Sequence, residues 1–473
     1  MKKLIIYLIL IVSVSSFASC ESWLDVEMKT KVKSDVLLQD EQGFRDALIG
    51  VYTGMTTEAL YGRELTYGFF EVLVGGYDID GSNTQYYDIS QGALDNTSVR
   101  ARTDRMWEGL YNTIANVNNI LDNIDAKRAI FSGDMYSVIK GEALALRALL
   151  HFQVFKIFAD ASDLSKKAIP YVRTLGHNVV PSSSGAEVLG FIQADLKEAM
   201  TCLEKDPVYT VKKKVDDSDP FMNNRQMRMN YYASMALYAE AALWAGNTTE
   251  ALDYAKRVIA VCDEVFPWVD PSTVTTSMDR NRDFTFSTEH LFCVNVFNLR
   301  SLYTTWISPS AYNMNYLCKG SYYFDTWYQS SGIGSMDYRY VYLKTTHNVN
   351  TWNYSSLKFS QPEGYRAEYA TRIPIIRRSL MYYIAAECET DPARAKGYLD
   401  QVRAHRGINV LLSEYNETEL RREYVKELWQ EGHLFFFHKR KNITTNPSDR
   451  YLPFQLRDKY IIQKPEAEIE YGQ

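Results

Sequence analysis

Two alanine-rich segments with helical periodicity constrain the fold of this chain more strongly than any other feature. In residues 230–262, two runs with apolar side chains three and four positions apart are separated by Gly246-Asn247, which can end one helix and turn the chain. Residues 380–406 have the same character. Because alanine lets neighbouring helices approach closely, each segment predicts a tightly packed helix pair.

The first of these pairs resembles a tetratricopeptide repeat. Large and small side chains alternate at residues 243–246, and Ala251 and Ala255 follow in the second run. A strict period of about 34 residues does not continue along the chain, so we expect repeat-like helix pairs rather than a regular solenoid.

Helical periodicity in the first half of the chain predicts a mostly α-helical fold. Apolar residues recur at helical spacing in residues 42–58, 104–124 and 186–203. Asp134 is a candidate N-cap for a longer helix that ends near Phe158.

The segment between the helix pairs, residues 266–372, has little periodicity and is rich in Tyr, Asn, Ser and Gly. The whole chain contains 35 Tyr, 21 Phe and 8 Trp, and this aromatic content argues against disorder. We therefore predict an irregular but ordered excursion on the helical scaffold.

These patterns divide the chain into five parts, of which residues 20–473 are expected to form one compact unit. The predicted parts are a signal peptide (1–19), an N-terminal part (20–210), a helix pair (211–265), the aromatic-rich segment (266–372) and a C-terminal part (373–473).

The first residues predict export. Lys2 and Lys3 precede an apolar run, residues 4–14, that is too short to span a bilayer. Small residues then precede Cys20, as in the lipobox of bacterial lipoproteins. This pattern predicts cleavage before Cys20 and its acylation with chains such as palmitate, which would anchor the protein to a membrane. An ordinary signal peptide with an unrelated cysteine is the alternative.

Composition and motifs exclude several function classes. With 52 basic and 58 acidic residues the net charge is −6, and no basic stripe suggests nucleic-acid binding. The chain has no paired zinc-ligand spacing, G-x-S-x-G turn or glycine-rich phosphate loop, so no cofactor or metal is expected. Catalytic carboxylate pairs have no sequence signature, so a hydrolase stays an alternative.

An acidic loop at residues 78–83 resembles a calcium-binding loop in its composition. Its sixth position is Asn83 instead of Gly and its twelfth is Ile89 instead of Glu, which excludes an EF-hand. We interpret it as a turn, with a different kind of ion site as the alternative.

Several motifs in their order along the chain resemble the SusD/RagB family. Each motif is weakly specific, but together they cover nearly all of residues 20–473. They are Trp23-Leu24-Asp25, Trp107-x-x-Leu110-Tyr111-x-x-Ile114, Gly141-Glu142-Ala143-x-Ala145-Leu146-Arg147-Ala148, Pro374-x-Ile376-Arg377, Ala385-Ala386-Glu387, Leu399-x-x-Val402-Arg403-x-x-Arg406, and residues 423–440.

This resemblance implies a SusD-like fold and a role outside the cell. Members of the family are outer-membrane lipoproteins that capture nutrients, commonly oligosaccharides, for a SusC-type TonB-dependent transporter. One departure is Leu434 and Phe437, which stand where many members have an arginine and an aspartate. We expect apolar packing to replace that ion pair, as in a divergent branch.

The charged residues of these motifs are expected to be structural. Paired guanidinium and carboxylate groups are strong when buried, so we predict inter-helix pairs rather than catalysis. The residues concerned are Glu142, Arg147, Arg377, Glu387, Arg403 and Arg406. Glu423, Glu427 and Glu431 would repel one another unless arginines such as Arg421 or Arg422 offset them.

Ligand contacts are predicted at aromatic and amide residues of two irregular regions. A sugar ring presents an apolar C–H face that stacks on an aromatic ring, while its hydroxyls need polar partners. The alternative is that these rings only fill the packing between segment and scaffold. The candidates are Tyr77, Asn83, Tyr86, Tyr87, Trp306, Tyr312, Tyr322, Tyr323 and Trp327, with Trp352 as an outlier.

We therefore predict a surface protein that binds a glycan, without catalysis, and delivers it to a SusC-type transporter. A secreted glycan hydrolase, a carrier of peptide-type ligands and a purely structural partner of the transporter are the alternatives. Fold and composition do not identify the ligand, because pocket geometry decides which molecule fits.

Overall fold

A computed structural model describes most of the chain. The described ranges are 36–176, 178–211, 219–311, 315–348, 350–443 and 460–472. Cys20, the predicted signal peptide and Tyr312 lie outside them. Within these ranges helices predominate over short strands, which confirms the predicted fold class.

The helices of the N-terminal half follow the predicted periodicity closely. They are α1 Glu41–Met55, α2 Phe69–Leu73, α3 Tyr87–Ser90, α4 Thr97–Ile124, α5 Met135–Phe158, α6 Gly185–Leu203, α7 Pro207–Thr210, α8 Tyr231–Trp244 and α9 Thr248–Val265.

In the C-terminal half, the helices before residue 372 are short, and several of those after residue 377 are longer. They are α10 Pro271–Thr275, α11 Leu299–Trp306, α12 Ser321–Tyr328, α13 Tyr338–Tyr342, α14 Arg378–Cys388, α15 Pro392–Ala404, α16 Glu417–Leu428, α17 Leu434–Arg440 and α18 Glu466–Tyr471.

The strands form three small antiparallel sheets. The pairings are β1 with β2, β3 with β7, and the order β4–β6–β5. The strands are β1 Lys167–Pro170, β2 Ser182–Ser184, β3 His290–Asn295, β4 Lys319–Gly320, β5 Lys344–Thr346, β6 Asn353–Ser356 and β7 Arg372–Arg377.

Polar side chains begin several of the long helices. Asp40, Asn230 and Asn247 accept hydrogen bonds from backbone N–H groups in the first turns of α1, α8 and α9. Ser184 and Glu187 form a reciprocal capping box at α6. Asp134 occupies the predicted position before α5, but its side chain makes no capping hydrogen bond.

The long helices pack in a continuous series. From α1 the contacts run through α4, α5 and α6 to α8, α9, α14 and α15. Ala233, Ala236 and Ala239 of α8 are fully buried, because α6 and α9 both pack against this helix. The two predicted helix pairs are confirmed, and they stand next to one another although residues 266–377 separate them in sequence.

The aromatic-rich segment is more regular than predicted. It contains short helices and strands, and β3 within it pairs with β7 at the start of the C-terminal part, Asn295 facing Arg372. These elements are too short for a periodic pattern, and their pairing partners are distant in sequence. Periodicity therefore could not reveal them.

Polar groups on α5 confirm the structural reading of the family motifs. Glu142 lies 2.6 Å from Arg225 and accepts a hydrogen bond from Tyr52 at 2.7 Å, while Arg147 donates two hydrogen bonds to Asp195. His151 donates from Nδ1 to the Arg147 carbonyl and accepts the Val172 N–H at Nε2. Burial lowers the pKa of His151 to about 3, so this histidine is a neutral packing residue.

A buried charge cluster joins the aromatic-rich segment to the C-terminal helices. Glu427 of α16 accepts hydrogen bonds from Arg377 and Arg406, at 2.7 and 2.6 Å, and from Arg339 of the segment at 3.0 Å. Although burial alone would raise the pKa of Glu427, these guanidinium groups hold it well below its ordinary value. Glu427 is therefore an ionised junction between the two regions.

The arginines that offset the three glutamates are not the neighbours expected from sequence. Arg421 donates to His438 and Arg422 to Glu419, whereas Glu423 contacts Arg339. Residues one and two positions apart on a helix point in different directions, so distant arginines fill this role. Glu387 pairs with Arg440, and Arg403 lies 3.5 Å from Glu423.

The Leu434–Phe437 departure is packed as expected. Leu434 and Phe437 are buried with the two phenylalanines between them, and Phe437 lies against Tyr424. The five cysteines in the described ranges are free thiols. No helix there is long and apolar enough to cross a bilayer.

Candidate functional site

Four of the predicted ligand residues lie beneath the surface. Tyr77, Tyr86, Asn83 and Trp327 are all buried, so their side chains are not exposed for stacking or hydrogen bonding with a ligand. Tyr77 donates to the Tyr67 carbonyl at 2.9 Å, and Trp327 packs against Trp429 and Phe324. Sequence could not separate these rings from exposed ones, because burial depends on distant elements.

Four of the candidate aromatic side chains are exposed. Tyr322 is 62% exposed, Tyr323 41%, Trp352 80% and Tyr87 40%. Trp306 is half-buried, between the guanidinium of Arg63 at 4.5 Å and the edge of Tyr86. Exposed rings of this size are the parts of the molecule available to stack on a ligand.

Local structure places three of these exposed residues close together in the fold, and we call them the aromatic surface: Tyr322, Tyr323 and Trp352. Tyr322 and Tyr323 lie in the first turn of α12, with ring centres 5.6 Å apart. The Ser321 N–H donates to the Trp352 carbonyl at 2.8 Å, and Gly320 pairs with Asn353 in the β4–β6 ladder. The backbone thus places Trp352 directly beside the start of α12.

Charged groups border the aromatic surface. Lys319 Nζ lies 2.6 Å from Asp78 Oδ1 and 4.8 Å from the ring centre of Tyr323. Asp78 Oδ2 accepts the Gly320 N–H at 2.8 Å, so this carboxylate holds the entry to α12. Sequence reasoning missed Lys319, which has no motif around it, and took Asp78 only as part of a turn.

The two irregular regions predicted separately are joined at this border. Asp78 N–H donates to the Cys318 carbonyl at 3.0 Å, and the Asn315 side chain accepts from Gln85 N–H at 3.2 Å. Asn83 stabilises the same loop by accepting from the Tyr86 N–H. The loop that follows Tyr77 thus supports the aromatic surface, although some 230 positions separate Gln85 from Asn315.

The acidic loop is a turn and does not gather an ion site. Asp80 accepts hydrogen bonds from Ser82 through Oδ1, and these bonds lower its pKa. Asp78 is engaged by Lys319 and Gly320. In the part of the chain that the structure describes, no three His, Cys, Asp or Glu side chains come together as a metal site.

The arrangement provides both kinds of contact that a polyhydroxylated ligand needs. Tyr322, Tyr323 and Trp352 offer apolar faces, while Asp80 offers an ionised acceptor on the neighbouring loop. Asp80 is held ionised, which suits acceptance of a hydroxyl and not proton donation to a leaving group. The surface thus offers the contacts that recognition of such a ligand requires.

The N-terminal part of the chain matches a known sequence family. Residues 22–218 match a SusD-like family described as starch-binding and associating with the outer membrane. A curated relative, SusD-like protein P25 of Formosa agariphila, is 25% identical over 211 residues, which are 43% of this chain and 38% of that protein. The match thus spans well under half of that relative.

Solved structures resemble the fold over nearly the whole chain. A SusD superfamily protein of Bacteroides thetaiotaomicron has a TM-score of 0.68 at 18% identity, covering 92% of this chain and 98% of that one. A putative sugar binding protein of Bacteroides vulgatus has a TM-score of 0.67 at 21% identity, covering 92% and 97%. A SusD-like carbohydrate binding protein of the same species has 0.67 at 16%, covering 91% and 96%.

The chain therefore has the SusD superfamily fold, and the resemblance to the SusD/RagB family is confirmed, by sequence over residues 22–218 and by fold over nearly all of the chain.

Proposed function

We propose that this protein is a cell-surface carrier that binds an oligosaccharide on its aromatic surface and delivers it, chemically unchanged, to a SusC-type TonB-dependent transporter. The observation that carries the proposal is the grouping of Tyr322, Tyr323 and Trp352 at one exposed face beside α12. Rings in this arrangement present wide apolar area with little conformational freedom to lose on binding.

The comparisons support a carbohydrate ligand. The matching family is described as starch-binding, and two of the solved structures are named as sugar or carbohydrate binding proteins. A sugar stacks its C–H face on the rings, while its hydroxyls reach Asp80 and the backbone of the adjoining loop. Ring stacking supplies affinity, and the polar rim selects among sugars.

Anchoring at Cys20 is part of the same proposal. The lipobox-like residues precede Cys20, and the family description places its members at the outer membrane. Several acyl chains on one cysteine would hold the carrier firmly beside a transporter. Crosslinking in intact cells is expected to recover a large outer-membrane barrel protein. Failure to recover one would contradict delivery to a transporter.

Calorimetry of the mature chain, from Glu21 onward, tests ligand binding against a panel of soluble polysaccharides and their oligosaccharides. We expect saturable heats without continued heat release. A sustained heat rate after each injection would mean turnover and would establish the hydrolase alternative. Absence of binding heat with every member of the panel would contradict an oligosaccharide ligand and favour a peptide ligand.

Substitution tests the location of the site. The triple variant Tyr322→Ala/Tyr323→Ala/Trp352→Ala is expected to bind at least about tenfold more weakly, because stacking area is lost. Phe297→Ala is the matched control, since Phe297 is 80% exposed but lies outside the aromatic surface. Unchanged affinity in the folded triple variant would remove this surface from the proposal.

A further inference from the structure

A separate cavity lies between the carboxyl end of α9 and the β3–β7 ribbon. Its volume is about 320 Å³, within the range of sites for small molecules. Residues of the α9 end, of β3 and of β7 line it, including Val265, Phe266, His290 and Arg372. None of its lining residues belongs to the aromatic surface.

Arg372 is the unusual group in this cavity. The residue is 93% buried, yet no side chain or carbonyl in the described part of the chain pairs with its guanidinium. Arg225 in the same wall is instead paired with two carboxylates, Glu142 at 2.6 Å and Asp206 at 2.7 Å. Arg372 lines the cavity, and none of its nitrogens is among the enclosed polar atoms that lack a partner in the described residues, so the guanidinium is open to an anionic ligand from the cavity.

His290 supplies a second group without a partner. Its Nε2 donates to the Thr285 carbonyl at 2.9 Å, which makes Nδ1 the acceptor of the ring. Nδ1 is buried and has no hydrogen-bond partner in the described residues. Burial, with help from the nearby charge of Arg372, lowers the pKa of His290 to about 3, so the ring stays neutral and accepting.

The remaining walls limit the ligand. Val265 and Phe266 provide an apolar side, which favours a carbon skeleton. Glu264 and the carboxyl end of α9 add negative character, which disfavours a second anionic group on the ligand. A compact molecule with one negative charge satisfies all of these walls.

We propose that this cavity binds a small organic carboxylate. The carboxylate would accept from the guanidinium of Arg372, and the carbon skeleton would lie against Val265 and Phe266. The site is independent of the oligosaccharide surface, so either proposal can fail without the other.

Calorimetry of the mature chain with matched probes tests this site. The probes are L-2-hydroxyisovalerate and D-glucuronate as free hydroxy acids, glycyl-L-leucine for the terminus of a peptide, and 2-hydroxyisovaleramide and D-glucose as neutral counterparts. We expect at least one acid to bind saturably and at least tenfold more tightly than its neutral counterpart. Absence of binding by all three acids would overturn the proposal.

Two arginine variants locate the binding. Arg372→Gln is expected to weaken binding of that acid at least tenfold, whereas Arg280→Gln, the same charge change at an exposed position, leaves it unchanged. Equal binding in both variants would overturn the assignment.

Thermal unfolding separates a ligand role from a structural one. Since Arg372 has no partner among the described residues, Arg372→Gln and Arg372→Met are expected to keep or raise the unfolding midpoint of the ligand-free protein. A midpoint lowered by several degrees in both variants would show that Arg372 serves the fold, and would overturn the proposal.

Discussion

The helix pairs and the aromatic-rich segment share one core but are specified in different ways. In α8 and α9, each helix is encoded by its own periodicity, and Gly246-Asn247 turns the chain between them. In residues 266–372, the short α12 and β4 owe their positions to Asp78, which lies outside the segment, and to Trp352 and Asn353, which lie further along it. The scaffold depends on local information, and the aromatic-rich segment depends on contacts between residues distant in sequence.

The largest expected effect comes from breaking the junction between the two regions. Glu427→Ala leaves the guanidinium groups of Arg377, Arg406 and Arg339 without their shared carboxylate. We expect the free energy of unfolding to fall by about 4 kcal/mol, the cost typical of a broken buried ion pair. Urea unfolding followed by circular dichroism measures it.

The control for this variant is Glu417→Ala on the same helix. Glu417 is exposed and pairs with Lys441, so its loss is expected to change the free energy of unfolding by less than about 0.5 kcal/mol. If both variants lose equally little, the two regions hold together without the Glu427 junction.

A buried and an exposed tryptophan of the aromatic-rich segment allow its packed part to be compared with its surface. Trp327 is 1% exposed and packs on Trp429, so Trp327→Ala is expected to reduce the free energy of unfolding by about 3 kcal/mol through cavity formation. Chemical denaturation measures the loss. If Trp327→Ala lowers the free energy of unfolding no more than removal of the exposed Trp352 ring does, this part of the segment is not packed as described.

Trp352→Ala is expected to act on binding instead of stability. Because Trp352 is exposed, its removal should leave the free energy of unfolding within about 0.5 kcal/mol. Affinity for the oligosaccharide found by calorimetry should fall about tenfold, since one stacking face is gone. The opposite result, lower stability with full affinity, would place Trp352 in the scaffold.

A further expected effect concerns pH and two carboxyl groups of the segment. Burial raises the pKa of Asp283 to about 6, above its ordinary value. The folded state therefore keeps a proton that the unfolded chain loses, and this group reduces stability as pH rises from about 4 to about 6. The free energy of unfolding of the wild type, relative to that of Asp283→Asn, should therefore decrease as pH rises through this range and stay constant above it.

Asp270→Asn is the matched control for this titration. Hydrogen bonds from Ser272 lower the pKa of Asp270, so its contribution is present above the ordinary pKa of an aspartate and is lost as pH falls. Thermal unfolding midpoints measured from pH 4 to 8 compare the pair. The same sign of pH dependence in both variants would contradict the burial of Asp283.

The fold was largely predictable, and the site was predictable only as a region. The bounds of α1, α5, α6, α8 and α9 follow apolar periodicity, so they differ little from the predicted ones. Glu142 and Arg147 form inter-helix pairs as predicted, but Arg225 and Asp195, their partners, come from distant segments. Sequence identified which groups needed partners and could not identify the partners.

The same limit applies to the ligand-facing residues. Tyr322 and Tyr323 were predicted and are exposed, whereas Trp327 lies on the same short helix and is buried. Their residue types are alike, so only the side of α12 that meets Trp429 separates them. Lys319 carries no motif, and it meets Asp78 of the acidic loop across 241 positions of sequence.

The sequence by itself determined the helical scaffold and the abundance of aromatic residues, and it predicts a lipobox-like leader, since each is a local pattern or a count. Tertiary structure alone decided which rings reach solvent, which arginines share Glu427, and that Arg372 is buried without a partner among the described residues. Exposure and pairing are properties of surfaces brought together by folding, and surfaces built from distant segments have no linear signature.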